Sequence, residues 1–205
     1  MKVSIIIPTF KPLYYLWECL DSLYKQTYSK EHFEILIVLN GDKDPYYGQI
    51  QEYLDSKISN KLNVRLLYSE ISGVSNARNV GINNAAGEFI TFIDDDDYVS
   101  VNYIEELLNC SSCTNIGCAH PIAFNKYGIL EYSVEKAWLK LSPNKEVHYL
   151  KARKLFQGPC MKLIHRNIIG NHRFDTRFRN GEDSLFMFLI SSKFNTISIT
   201  SESAI

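Results

Sequence analysis

The sequence predicts an α/β fold with a mostly parallel central sheet and helices on both faces. Three observations carry this reading. Short β-branched apolar runs alternate with segments of helical spacing through the first 110 residues. The run EFITFI at 88–93 is apolar on both faces, as a strand covered on both sides must be. The intervening segments are long enough for right-handed crossovers between parallel neighbours.

VSIII at 3–7 reads as a buried strand that Pro8 ends. Leu13, Leu16, Trp17, Leu20, Leu23 and Tyr24 recur at helical spacing and predict an amphipathic helix. FEILIVL at 33–39 is a second buried strand, stopped by Asn40-Gly41. Asp44 and Pro45 read as the N-cap and first residue of a helix reaching about Ile58. LNVRLLYS at 62–69 is a third strand. SGVSNARNVGINNAAG at 72–87 reads as a helix entered at Ser-Gly and left at Gly87. EFITFI is the fourth strand, and four aspartates follow it. Ser100 then caps a helix carrying Ile104, Leu107 and Leu108.

The second half is less regular. GCAHPIAF at 117–124 and YGILEYS at 127–133 read as strands, and 138–145 as a loop. VHYLKARKLF at 147–156 reads as a helix and PCMKLIH at 159–165 as a further strand. GEDSLFMFLISSKF at 181–194 predicts a helix with Leu185, Phe186, Leu189 and Ile190 inward, and NTISIT a last strand. Neither a repeat nor a linker divides the chain, so one domain over residues 1–205 is expected.

Composition limits the function classes. A net charge of −1 gives no basic excess, which argues against a nucleic-acid partner. The longest apolar runs fall far short of the roughly 20 residues of a spanning helix. Pro8 interrupts the N-terminal apolar stretch too early for a signal peptide, so a cytoplasmic protein is expected. Cys110, Cys113, Cys118 and His120 crowd into eleven residues, whereas structural zinc sites usually take two well-separated ligand pairs. Free thiols in a reducing compartment are the preferred reading.

Ligands of such sheets sit outside the carboxyl ends of the strands. Three polar strand ends, Pro8-Thr9, Asn40-Gly41 and the aspartates at 94–97, should share one rim. Strand alternation would put Asp94 and Asp96 on one face and Asp95 and Asp97 on the other. Two carboxylates at a strand end suit a hard cation such as Mg²⁺ or Mn²⁺, which fills its other positions with substrate phosphates. The competing reading is a solvated acidic turn, because a bare D-x-D is common. The chain has no G-x-x-x-x-G-K-[ST] and no glycine in its first strand-helix turn, which excludes the P-loop and dinucleotide fingerprints. Arg78 could supply a further positive charge.

VSIIIPTF, EILIVLNGDKD, SGVSNARNVGINNAAGEFITFIDDDDYV and NGEDSLF, in this order and spacing, resemble the inverting nucleotide-sugar glycosyltransferases of glycosyltransferase family 2. The resemblance covers residue 3 to about 190 and implies a GT-A fold. Residues 1–110 would form the nucleotide-sugar-binding half and 111–205 a smaller acceptor-side half. Many members continue beyond this length, so a truncated or minimal form is expected. The resemblance places Pro8 and Thr9 in the first nucleotide-binding turn and Arg78 beside the nucleotide. Asn40 stands where the family has the second acid of its DDGS motif, and Leu39 replaces the first. The Asn40 oxygen would still accept a base N–H. Asp96 would ligate the metal with Asp94, and Asp94 or Asp95 would touch the ribose. Asp183 matches the general base, with Glu182 beside it.

The implied function is metal-dependent transfer of a sugar, from a UDP-sugar first, to a saccharide or lipid-linked acceptor in surface polysaccharide or glycolipid synthesis. A lipid-linked acceptor would bring the protein to the inner face of the membrane. Trp138 and the 139–147 loop are candidates for acceptor contact, with core packing the alternative for Trp138. Two other classes compete. A sugar-1-phosphate nucleotidyltransferase would want a glycine-rich basic loop after the first strand. A non-catalytic nucleotide-sugar-binding module, or a subunit of a larger assembly, would bind without turnover.

Overall fold

A computed structural model describes residues 1–58, 62–125, 127–141, 143 and 145–201. The first half runs β1 (Val3–Thr9), α1 (Tyr15–Tyr24), β2 (Phe33–Asn40), α2 (Tyr46–Tyr53), β3 (Asn63–Ser69), α3 (Val74–Asn84), β4 (Phe89–Phe92) and α4 (Tyr103–Cys110). The second runs β5 (Asn115–Cys118), β6 (Ala123–Asn125), β7 (Gly128–Leu130), α5 (Ser133–Trp138), β8 (Val147–His148), β9 (Lys162–His165), α6 (Arg166–Ile169), α7 (Glu182–Ile190) and β10 (Thr196–Ile199). A 3-10 helix spans Tyr149–Phe156.

Eight strands form one mixed, mostly parallel sheet in the order β3-β2-β1-β4-β9-β5-β10-β8, and β6 and β7 form a separate hairpin. β3, β2, β1 and β4 are parallel neighbours, so their carboxyl ends share one rim. β9 enters antiparallel between β4 and β5. Consecutive residues of β1 feed opposite cores, as a period of two dictates. Ile5 and Ile7 join Leu20 of α1, Ile50 of α2 and Leu107 of α4. Ile6 joins Ala77 of α3 and Phe186 of α7. Gly81 lets α3 press onto β1, where a Cβ would sit 2.3 Å from Ile6 Cγ2.

Several local expectations are corrected. β1 continues through Pro8 to Thr9. Pro8 lies two residues past Ile6↔Phe92, the last β1–β4 pair, so its missing N–H breaks no bond there. Asp44 does not cap α2; Pro45 holds the N-cap position and brings no side-chain oxygen. The α-helix ends at Tyr53 and a π-helical turn carries it to Ile58. Ser100 Oγ donates to Asn102 Oδ1 at 2.9 Å, and Asn102 is the N-cap of α4. Gly87 lies beyond α3, where its N–H donates to Ser4 Oγ at 2.8 Å.

The second half departs further. The strand expected at 117–124 is split into β5 and β6 around Pro121, which has no N–H for a ladder. Of the strand expected at 127–133, β7 keeps three residues, and α5 begins at Ser133. Trp138 is helical rather than in a loop, while 142 and 144 of that loop lie outside the described residues. The helix expected at 147–156 is a two-residue strand followed by a 3-10 helix. In α7, Phe186, Met187 and Ile190 are buried and Leu189 is exposed. That helix is apolar nearly all round, so periodicity does not select its inward face.

Candidate active site

The shared rim brings four segments together. Asn40, ending β2, is buried and spans two of them. Its Nδ2 donates to the Thr9 carbonyl at 2.7 Å, and its Oδ1 accepts from the Gly73 N–H, at the start of α3, at 2.8 Å. The oxygen expected to wait for a base is therefore already engaged. Leu39 is fully buried in the core beneath α1.

The aspartates do not alternate as a strand. The Asp97 N–H donates to the Asp94 carbonyl at 3.1 Å, closing a turn in place of an extended strand. Arg78 Nη2 donates to Asp94 Oδ1 at 2.9 Å, and the guanidinium is almost fully buried. Cys160 Sγ donates to Asp94 Oδ2 at 3.5 Å. The Thr9 hydroxyl donates to the Asp95 carboxylate. Asp96 is exposed, and none of the described residues forms a hydrogen bond or ion pair with it.

The electrostatics follow from this crowding. Burial pushes Asp97 up to about 7, and Asp94, Asp96 and Asp95 add to it. Burial also raises Asp95, against the lowering effect of the Thr9 hydrogen bond. Burial draws Arg78 down, but the Asp94 carboxylate, which it hydrogen-bonds, and Asp183 hold the guanidinium charged. Burial pushes the Cys160 thiol well above its ordinary range, which makes it a neutral donor.

Two clefts meet at the Arg78–Asp94 pair. One, of about 370 Å³, is lined by Pro8, Thr9, Asn40, Asp95 and Asp96 together with that pair. The other, also about 370 Å³, is lined by the same pair with Asp97, Lys154, Lys162 and Asp183. The structure thus brings Asp183, from the start of α7, to the rim formed by the first half. Asp183 Oδ1 accepts from the Ser184 N–H at 2.7 Å. Gly158 lies against it, since a Cβ there would stand 3.1 Å from Asp183 Oδ2. Glu182 is nearly buried and does not line the cleft. Trp138 is buried too and stacks on His120 with ring centroids 4.3 Å apart, so it packs rather than facing a ligand. Cys110 and Cys118 are buried and Cys113 is exposed. Beside the first cleft, a groove of about 840 Å³ runs between Phe10, Tyr14, Tyr15 and Phe124.

The acidic rim suits a divalent cation only in part. Among the described residues no three His, Cys, Asp or Glu side chains are grouped to hold a metal. Asp96 is exposed and unengaged, and Asp94 shares the same cleft but is held by Arg78. This donor set fits a cation that takes one or two carboxylates and completes its shell with diphosphate oxygens. It does not fit a cation caged by protein alone.

Sequence reasoning missed Asn79, Gly158, Cys160 and Lys162. The Gly158-Pro159 pair, which marks a turn before the strand expected at 159–165, was a local signal for that segment.

The profile for "Glycosyl transferase family 2" matches residues 4–173. The poly(ribitol-phosphate) β-N-acetylglucosaminyltransferase TarS of Staphylococcus aureus (strain MW2) is 27% identical over 208 residues, covering 100% of this chain and 35% of that protein. Putative glycosyltransferase EpsH of Bacillus subtilis (strain 168) is 30% identical over 198 residues, covering 91% and 54%. A crystal structure of S. aureus TarS 1-349 with UDP superposes with TM-score 0.79 at 26% identity, over 100% of this chain and 59% of that one. A mannosyltransferase from Pyrobaculum calidifontis, in complex with GDP-Man and Mn²⁺, matches at TM-score 0.65 and 14% identity, a likeness of fold alone. The chain spans about a third to a half of the length of these curated relatives. The fold is GT-A-like, and with the profile covering most of its length, the chain belongs to glycosyltransferase family 2.

Proposed function

We propose that the chain transfers a sugar from a nucleotide-diphosphate sugar to an acceptor hydroxyl, with inversion at the anomeric carbon. The observation that carries this is the meeting of two clefts at one ion pair, Arg78–Asp94, with Asp183 lining the second. Residues 1–110 serve the donor and 111–205 the acceptor. The donor lies across Pro8, Thr9 and Asn40, with Asp95 or Asp94 toward the ribose. UDP-linked sugars come first, since TarS has been crystallised with UDP and with UDP-GlcNAc. The names of TarS and of the minor teichoic acid biosynthesis protein GgaB support a role in teichoic acid or surface polysaccharide synthesis. No helix of the described residues is long and apolar enough to cross a membrane.

Asp183 removes the proton from the acceptor hydroxyl as its oxygen attacks. The buried Arg78 guanidinium offers fixed positive charge where the diphosphate departs, without reorganisation at that moment. Asp94 holds Arg78 in place, and Cys160 holds the second oxygen of Asp94. A Mn²⁺ or Mg²⁺ held by Asp96 and Asp94 would supply further positive charge to the departing phosphates. Glu182, nearly buried, supports the start of α7 rather than the reacting atoms.

A thermal-shift screen tests the donor site. UDP-, GDP-, dTDP- and CDP-linked sugars are added with and without Mn²⁺ to wild type and Asp96→Ala. A ligand that binds only the folded state raises its stability with occupancy. A metal-dependent rise with a UDP-sugar, lost in Asp96→Ala, is expected. Absence of any shift would favour a chain without a working donor site.

A further inference from the structure

The second cleft contains a positive charge that the transfer mechanism leaves unused. Lys162, on β9, is 4% exposed. Its Nζ donates to the Cys160 carbonyl at 3.1 Å, one of three available donors. None of the ion pairs among the described residues includes it, at a limit of 4.0 Å. The acids lining the same cleft are Asp94, Asp97 and Asp183, and Asp94 is taken by Arg78. The rest of the lining includes the apolar Val134 and Leu155 and the uncharged Tyr132 and Gln157, none of which is a counter-ion. An ammonium buried without a counter-ion is destabilising. The arrangement is accounted for if an anion completes it in the working complex. Lys154, exposed and likewise outside those ion pairs, stands on the lining of the same cleft.

Asp183 and these two lysines together provide for two groups on one molecule: an acceptor for an attacking O–H, and donors for an anion nearby. A neutral sugar would use the first and leave Lys162 uncompensated. The geometry points to an acceptor that carries a phosphate, with a phosphate oxygen on Lys162 Nζ and Lys154 guiding it in. This rests on the reading of the second cleft as the acceptor side. The other source of the same chemistry is the donor's own diphosphate, reached past Arg78.

Calorimetry separates the two. Glycerol 3-phosphate, glycerol and UDP with Mn²⁺ are titrated separately into wild type, Lys162→Met and Lys154→Ala. Glycerol 3-phosphate should bind the wild type and glycerol should not. Lys162→Met should weaken glycerol 3-phosphate by about tenfold, the worth of one charge-assisted hydrogen bond, and leave UDP unchanged. Lys154→Ala should weaken it by a smaller factor. Because its side chain is exposed, it also carries the test if the buried substitution unfolds the protein. Loss of UDP affinity in Lys162→Met, with glycerol 3-phosphate unchanged, would assign the ammonium to the donor diphosphate and overturn the acceptor assignment. Unchanged binding of both ligands in the variants, or no glycerol 3-phosphate binding by wild type, would leave Lys162 as a structural offset to Asp97 and Asp183. Failure of wild type to bind UDP counts against the donor site alone, since glycerol 3-phosphate is read without it.

Discussion

Asn79 holds the backbone of Phe174 from both sides: its Nδ2 donates to the Phe174 carbonyl and its Oδ1 accepts the Phe174 N–H, each at 2.8 Å. The Phe174 ring stacks on Phe186 of α7 with centroids 4.0 Å apart, and the Arg78 guanidinium lies 5.4 Å above it. One asparagine of α3 therefore sets where α7, and with it Asp183, stands relative to Arg78. Asn79→Ala strands a peptide N–H and C=O and should destabilise by about 2 kcal/mol. For a domain of this size that lowers the unfolding midpoint by roughly 4–8 °C. Thermal denaturation checks it, and an unchanged midpoint would mean that the Phe174 segment is held by its ring alone.

Placing an acid at position 40 should harm this chain. In Asn40→Asp an oxygen would replace the Nδ2 that faces the Thr9 carbonyl at 2.7 Å. Two acceptors would then oppose each other in a buried place, a loss of about 2–3 kcal/mol. Only the protonated acid could donate to Thr9. Its folded pKa would rise above the unfolded value, so the loss should grow as pH rises above about 4. Unfolding midpoints at pH 5 and pH 8 measure this. A variant as stable as wild type at pH 8 would show that the Asn40 bridge can be replaced.

Asp183→Asn keeps the shape and the Ser184 N–H contact but removes the carboxylate proposed as the base. Sugar transfer from the UDP-sugar selected by the thermal-shift screen should fall about a thousandfold, while UDP affinity stays unchanged. Gly158→Val should lower turnover as well, by displacing the carboxylate that a Cβ would approach to 3.1 Å. Product formation and calorimetry on the same preparations separate the two effects. Full activity in Asp183→Asn would remove Asp183 from the chemistry.

What could be read in the sequence follows the range of the interactions. Val3–Thr9, Phe33–Asn40 and Phe89–Phe92 announce themselves because a buried parallel strand is an unbroken apolar run, and their ends mark the rim. Thr9, Asn40 and the aspartates were legible for that reason. Asn79 and Cys160 were not, because their partners lie 95 and 66 residues away. The second half is built from strands of two to four residues, too short for alternation to register. β9 runs antiparallel into the middle of the sheet, which only the tertiary arrangement specifies.

Asp97 gives a prediction about pH. Its folded pKa is raised to about 7, first by burial and then by Asp94, Asp96 and Asp95. An unfolded aspartate titrates near 4. Between these values the folded state holds the proton and the unfolded state does not. Wild-type stability should therefore fall as pH rises from about 4 to about 7, with the full penalty present above that. Asp97→Asn cannot ionise, so it should be more stable than wild type at pH 8 and nearly equal to it near pH 4. A cation beside Asp96 reduces the same repulsion, so Mn²⁺ should stabilise wild type more than the variant at pH 8. Unfolding midpoints of both proteins across this range, with and without Mn²⁺, carry the test. Parallel pH profiles would mean that Asp97 ionises as freely in the folded chain as in the unfolded one.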